Sequence, residues 1–219
     1  MNLDLELARH NMIEQQVRPW DVLDARVLGV LNDVHREDFV PAAQRSLAFA
    51  DLSLPLGHDE VMMKPVVEGR LLQALALEGH ESVLEIGTGS GFMAALLGHR
   101  AQRVLSLEID DELARTAHAN LQRAGVLNVE VRALDGARTD LSAHGPFDVI
   151  VLSGSVAELP DALLALLKPG GRLMAIVGHE PVMRATLVLR TDNGLVSSQP
   201  WDSNAPRLCH FPEPSRFQF

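Results

Sequence analysis

Ser82-Val83-Leu84-Glu85-Ile86-Gly87-Thr88-Gly89-Ser90-Gly91-Phe92 decides how the chain is read. An apolar run enters a loop with glycine at every second position, and an amphipathic segment, Phe92 to Arg100, follows. The pattern predicts a strand, a tight turn and a helix. Glycines there permit positive φ and let a ligand approach the backbone, while the amides opening the next helix offer hydrogen-bond donors. Dinucleotide-binding turns space their glycines Gly-x-Gly-x-x-Gly to seat a pyrophosphate. Here the spacing is Gly87, Gly89, Gly91, and Glu85 just ahead of it would repel a pyrophosphate but attract a cation. S-adenosyl-L-methionine (SAM), with its sulfonium and α-amino group, fits these features better than a nicotinamide dinucleotide.

Outward from that turn the chain alternates. Strands are predicted at 82–86, 103–108, 129–133, 147–152 and 171–177, with helices at 92–100, 111–124 and 159–167. Such alternation means a parallel sheet covered by helices on both faces. Two more strand-like runs, 185–190 and 194–199, flank Asp192-Asn193-Gly194, a hairpin signal that predicts antiparallel pairing at the end of the sheet. Upstream, 3–16 has helical spacing and is broken by Arg18-Pro19-Trp20, and a second helix starts at a cap on Asp21 or Asp24. Residues 34–41 read as a loop with a short helix after Pro41, 51–65 as irregular, and 66–77 as helix. The expectation is a helical cap with an acceptor loop over 1–78 and an α/β core with a terminal hairpin over 79–219, in one compact unit.

The chain has 219 residues, 47% hydrophobic and 22% charged, as in an ordinary soluble protein. No apolar run reaches transmembrane length and no signal-peptide pattern opens the sequence, so the expected location is cytoplasmic and no membrane partner is expected. A net charge of −10 and 4% aromatic residues argue against nucleic acid as a partner. The one cysteine, Cys209, reads as packing or surface, and the nine histidines show no metal-ligand spacing.

Glu108 ends the second core strand about 20 residues past the glycine turn, where a carboxylate accepts from ribose hydroxyls. Asp135-Gly136 follows the third strand on the same edge, with Asp135 expected to contact the adenine amino group. The cofactor-binding set is therefore Glu85, Gly87, Thr88, Gly89, Gly91, Glu108, Asp135 and Gly136. Asp148 and Ser153 are expected to border that edge, and Ser153 shows no acid or histidine partner in the sequence. Lys168-Pro169-Gly170-Gly171 reads as an architectural turn.

These residues, with Met12-Ile13-Glu14-Gln15-Gln16-Val17, Asp24-Ala25-Arg26-Val27-Leu28, Phe39-Val40-Pro41, Leu54-Pro55-Leu56-Gly57 and Lys168-Pro169-Gly170-Gly171-Arg172-Leu173, resemble the protein-L-isoaspartate O-methyltransferase family over about residues 9 to 180. The resemblance implies a Rossmann-like class I methyltransferase fold with a seven-stranded sheet. It also implies SAM as donor, S-adenosyl-L-homocysteine as product, and methyl esterification of isoaspartyl carboxyls in damaged proteins. Before Pro65 the family usually reads Gly-Gln-Thr-Ile-Ser-x-Pro. This chain reads Asp59-Glu60-Val61-Met62-Met63-Lys64-Pro65. Glu60 replaces the glutamine, Val61 the threonine and Met63 the serine, which removes hydrogen-bond donors around an acceptor carboxylate. Glu60, Val61, Met63 and Lys64 are accordingly the acceptor-loop candidates, with the methionines as an adaptable apolar wall and Lys64 as a replacement charge. A protein or peptide acceptor is expected, with a small molecule or a non-catalytic SAM-binding protein as alternatives.

Overall fold

Ser82–Ile86 is buried at every position, as a strand covered on both faces must be. The computed structural model describes residues 2–214. In chain order its main elements are α1 (Asn2–Met12), α2 (Ala25–Asp33), β1 (Leu54–Gly57), β2 (Glu60–Met62), α3 (Pro65–Leu75) and β3 (Ser82–Ile86). They continue with α4 (Phe92–Gly98), β4 (Arg103–Glu108), α5 (Asp111–Arg123), β5 (Val129–Ala133) and β6 (Phe147–Val156), and end with α6 (Asp161–Leu164), β7 (Leu167–His179), β8 (Val182–Thr191) and β9 (Gly194–Asp202). Seven strands form one sheet in the order β5-β4-β3-β6-β7-β8-β9. Pairing is parallel from β5 to β7 and antiparallel through β8 and β9.

From β3 the chain winds out to β4 and β5, then returns to add β6 on the other side of β3. That reversal opens a crevice at the carboxyl ends of the central strands, the place where open α/β sheets bind ligands. Alternate strand residues serve opposite faces. Val83, Val104, Val149 and Val151 join a core that includes α3, α4 and the N-terminal helices, while Leu84, Ile86, Leu107, Ile150 and Leu152 pack on the other side.

Four local expectations change. The first helix extends past residue 16 but is not α throughout: α1 gives way to a wider π turn at Ile13–Val17, which buries Ile13 and Val17, and then to a 3-10 turn at Arg18–Trp20. Residues 51–65 are not irregular, since β1 and β2 form a small hairpin pairing Pro55 with Val61. Its turn is made possible by left-handed φ values at His58 (56°) and Asp59 (61°). The helix expected over 159–167 shrinks to α6 because Leu167 already pairs with Phe147. The Lys168–Gly171 segment then bulges within β7, and the ladder resumes at Val149 opposite Arg172.

The predicted hairpin forms, with Asp192 and Asn193 between the paired residues Thr191 and Gly194. Asp24 caps α2, its side chain accepting from the Arg26 amide, and Asp21 lies outside the helix.

Candidate functional site

The crevice at the carboxyl ends of β3, β4 and β6 contains a cavity that opens to solvent. Glu60 and Val61 of the hairpin, Gly87 and Gly89 of the glycine loop, Glu108, Asp135, Gly136 and Ser153 all line it. Ile86, Ile109 and Leu134 supply apolar wall. Of the cofactor-binding and acceptor-loop candidates, seven therefore meet around one space: Glu60, Val61, Gly87, Gly89, Glu108, Asp135 and Gly136; Ser153, expected at this edge, joins them.

Glu108 closes β4 and is 5% exposed. One of its oxygens accepts from the Gly89 amide at 2.8 Å and the other from the Asp110 amide at 3.1 Å. The Gly87 and Thr88 amides both turn to the Leu107 carbonyl, and the Gly91 amide to the Thr88 carbonyl. These loop donors are committed within the protein, so the turn is not a cradle of free amides for a phosphate. What faces the cavity instead is the Glu108 carboxylate, an acceptor suited to hydroxyls.

Glu85 lies behind the cavity and is fully buried. Its two oxygens accept from the Ser106 and Ser153 hydroxyls, each at 2.6 Å, and Ser106 in turn touches the Thr88 hydroxyl at 2.6 Å. Burial lifts the Glu85 carboxyl to about 7 against the opposing pull of the two serine hydroxyls. Glu85 and Thr88 thus brace the floor from beneath. The structure gives Ser153 the acid partner that was not evident in the sequence: it is Glu85, 68 residues away in the chain. Asp148 does not border this edge. It sits near the start of β6, at the opposite end of the sheet, bonded to the Ser82 amide and to Lys168 Nζ at 2.7 Å. Burial would raise its carboxyl, but Lys168 and Ser82 outweigh that and lower it to about 2.

Asp135 accepts from the Ala137 amide and pairs with His210 Nδ1 at 2.7 Å. Gly136 is a close-approach position, because a Cβ there would lie 2.7 Å from the Ile86 side chain. Gly91 serves packing: with φ of 86° it lets α5 come so near that a Cβ would meet Ala117 at 3.2 Å. It does not line the cavity.

The hairpin divides its candidates. Glu60 is half-buried and Val61 partly so, and both face the cavity. Met63 does not: it is 7% exposed, its side chain is in the core, and its carbonyl accepts from Arg36 Nη2 at 2.6 Å. Met62 is likewise buried, so the methionine pair is not the acceptor wall. Lys64 is exposed at the N-cap of α3 and does not line the cavity, so no replacement charge reaches it from there. Phe39 is core, edge-on to Phe92 at 5.6 Å.

The sequence reading missed the strap after β9. Pro206 and Leu208 bond to Ser155 through the Ser155 amide and carbonyl, which holds Leu208 against Gly87 and Gly154. Leu208, Cys209 and Phe211 complete the cavity wall, with Cys209 exposed at its edge. Two apolar residues between Pro206 and Pro212 were the available signal, but they have no period to announce a role.

The set fits an adenosine nucleoside. Apolar walls suit a flat base, Glu108 and Asp135 offer acceptors for hydroxyls and an amino group, and among the described residues no Lys or Arg lines the space to favour a phosphate.

Residues 8–204 match the family model described as Protein-L-isoaspartate(D-aspartate) O-methyltransferase. Protein-L-isoaspartate O-methyltransferase 1 of Syntrophobacter fumaroxidans is 36% identical over 88% of this chain and 90% of its own length. The protein-L-isoaspartate O-methyltransferase of Myxococcus xanthus is 43% identical over 72% of this chain and 74% of its own. A Plasmodium falciparum structure described as a protein-L-isoaspartate O-methyltransferase, in complex with S-adenosyl-L-homocysteine, superposes with a TM-score of 0.80 at 17% identity. It covers 93% of this chain and 97% of its own, and shows a shared fold.

Proposed function

The chain belongs to the protein-L-isoaspartate(D-aspartate) O-methyltransferase family, and from that premise we propose that it transfers a methyl group from SAM to a carboxyl group of a protein or peptide acceptor. The observation that carries the reading is the placement of Glu108 and Asp135 around a cavity at the sheet's switch point, with the hairpin residues Glu60 and Val61 facing the same space. When bound, SAM supplies an electrophilic methyl group. Glu108 and Asp135 hold the nucleoside, the buried Glu85–Ser106–Thr88 chain keeps the loop in shape, and Leu208 and Phe211 exclude water. Displacement at a methyl carbon asks little more of a protein than alignment and dryness.

The acceptor is an isoaspartyl carboxyl, the group named for the relatives. Labelled SAM is incubated with an isoaspartyl peptide and with its aspartyl twin, and base-labile ester is counted. Label on the isoaspartyl peptide alone is the expected result. SAM binding without ester on either peptide would favour the second reading, a binding protein without turnover. That reading has one observation in its favour, the lack of hydroxyl side chains in residues 58–65.

A further inference from the structure

The strap beyond β9 is tied down at two places. Ser155 holds its start: the Ser155 amide donates to the Pro206 carbonyl at 2.6 Å, and the Leu208 amide donates to the Ser155 carbonyl at 2.9 Å. Farther along, His210 Nδ1 lies 2.7 Å from Asp135 Oδ2, which joins the strap to the loop after β5. The His210 backbone is left-handed, with φ of 64°, a conformation that side chains adopt rarely and that surrounding contacts must hold. His210 does not line the cavity, whereas its neighbours Cys209 and Phe211 and its partner Asp135 all do. The imidazole works from behind the wall.

Asp135 is held at both oxygens. Oδ1 accepts from the Ala137 amide at 3.0 Å and Oδ2 from His210, while the exposed Arg138 stands off with its Nε 3.6 Å from Oδ2. Burial would raise the Asp135 carboxyl, but His210 and the Ala137 amide outweigh that and lower it. An ionised carboxylate only accepts, so the hydrogen in this pair is carried by Nδ1. A carboxylate oxygen has room for a second donor, which leaves Asp135 able to accept from a ligand in the cavity it lines. Because the carboxylate is already fixed, a ligand that meets it does not have to order it.

We propose that His210 is a positioning residue for the cofactor: its Nδ1–H fixes the Asp135 carboxylate toward the 6-amino group of the SAM base, and the same bond holds Cys209 and Phe211 closed over the nucleoside. The inference rests on the reading above that Asp135 holds the nucleoside. His210 makes and breaks no covalent bond, so its effect falls on how tightly the cofactor binds and on which base is chosen. Two replacements separate its donor from its backbone. Asparagine can present an amide nitrogen where Nδ1 lies and tolerates the left-handed conformation. Glycine suits that conformation and has no donor.

The test measures calorimetric binding of S-adenosyl-L-homocysteine and of its analogue bearing hydrogen in place of the purine 6-amino group. Wild type is compared with His210→Asn, His210→Gly and His210→Ala, and melting curves establish that each variant folds. Two variants without a donor are used because glycine also loosens the backbone. Wild type should bind S-adenosyl-L-homocysteine about tenfold or more tightly than the analogue, the size expected for one hydrogen bond to a charge. His210→Asn should keep that preference. His210→Gly and His210→Ala should bind S-adenosyl-L-homocysteine about tenfold less tightly than wild type and prefer it over the analogue by about twofold or less. Donor-less variants that keep wild-type affinity and preference, or that weaken both ligands alike with the preference intact, would overturn the positioning of Asp135 by His210. So would a His210→Asn as impaired as His210→Gly. Wild type binding the two ligands equally would instead overturn the placement of the base at Asp135, and this inference with it.

Discussion

The floor of the cavity and the hairpin above it are built on opposite principles. The floor, from Glu85 to Gly89 and Glu108, is a closed hydrogen-bond network in which every side chain is fixed by another element: Ser106 of β4 and Ser153 of β6 hold Glu85, and Gly89 holds Glu108. The hairpin is held from outside. Arg36, fully buried, donates to the Met63 and Ala48 carbonyls, pairs with Glu68 and lies over the Phe92 ring at 4.9 Å. Glu60 and Val61 take no part in that anchorage. A region whose side chains are its own scaffold resists change, whereas one held by its backbone can vary what it shows to a ligand.

The contrast breaks if the floor tolerates insertion. Gly136→Val drives side-chain atoms into Ile86, and SAM binding by calorimetry should weaken about a hundredfold or more while the far-ultraviolet circular dichroism is retained. Unchanged affinity would mean that the ligand does not depend on this wall.

Glu85→Gln sharpens the same side through stability. The folded-state carboxyl lies near 7 against an ordinary 4.5, so the folded protein binds this proton more tightly than the unfolded chain. Its contribution is therefore complete below about pH 4.5 and is lost as pH rises through about 7. Thermal melts should show Glu85→Gln gaining on wild type across that window, by up to about 3 kcal/mol, then levelling. A difference independent of pH would contradict the placement of a titrating carboxyl there.

On the hairpin the two methionine-flank substitutions should separate. Met63→Ser removes a core side chain and should cost about 2–3 kcal/mol in denaturant unfolding with no gain in isoaspartyl methylation. Val61→Thr places a hydroxyl on the cavity and should raise ester formation a few-fold, worth about 1 kcal/mol, with little change in stability. A gain from the first and none from the second would reverse the assignment of which residue faces the acceptor.

What could be read in advance follows the same division. Strand and helix order, the glycine turn and the Glu108 position follow from local periodicity and spacing, because a parallel sheet writes its buried strands as apolar runs. The partners of Ser153 and Asp148 were hidden by distance along the chain: Glu85 lies 68 residues from Ser153. Asp148 was placed at the wrong end although it opens the strand that Ser153 follows, and the two ends of one strand lie at opposite edges of a parallel sheet. The direction of Met63 depends on the register of a hairpin whose turn uses Gly57, His58 and Asp59 at positive φ and whose ladder shifts between Pro55 and Gly57, a bulge that Gly57 alone does not announce. The strap at 206–211 owes its place to Ser155 and has no pattern of its own.

Arg36 grips carbonyl oxygens, which every amino acid possesses in the same position. Substitutions at 60 and 61 therefore leave its grip unaltered, and the hairpin can acquire a new surface without first surviving an unstable intermediate. On the proposed reading, in which residues 60 and 61 meet the acceptor, selection on acceptor choice and selection on folding act on separate residues. A lineage of such proteins can drift in what it methylates while its frame stays the same.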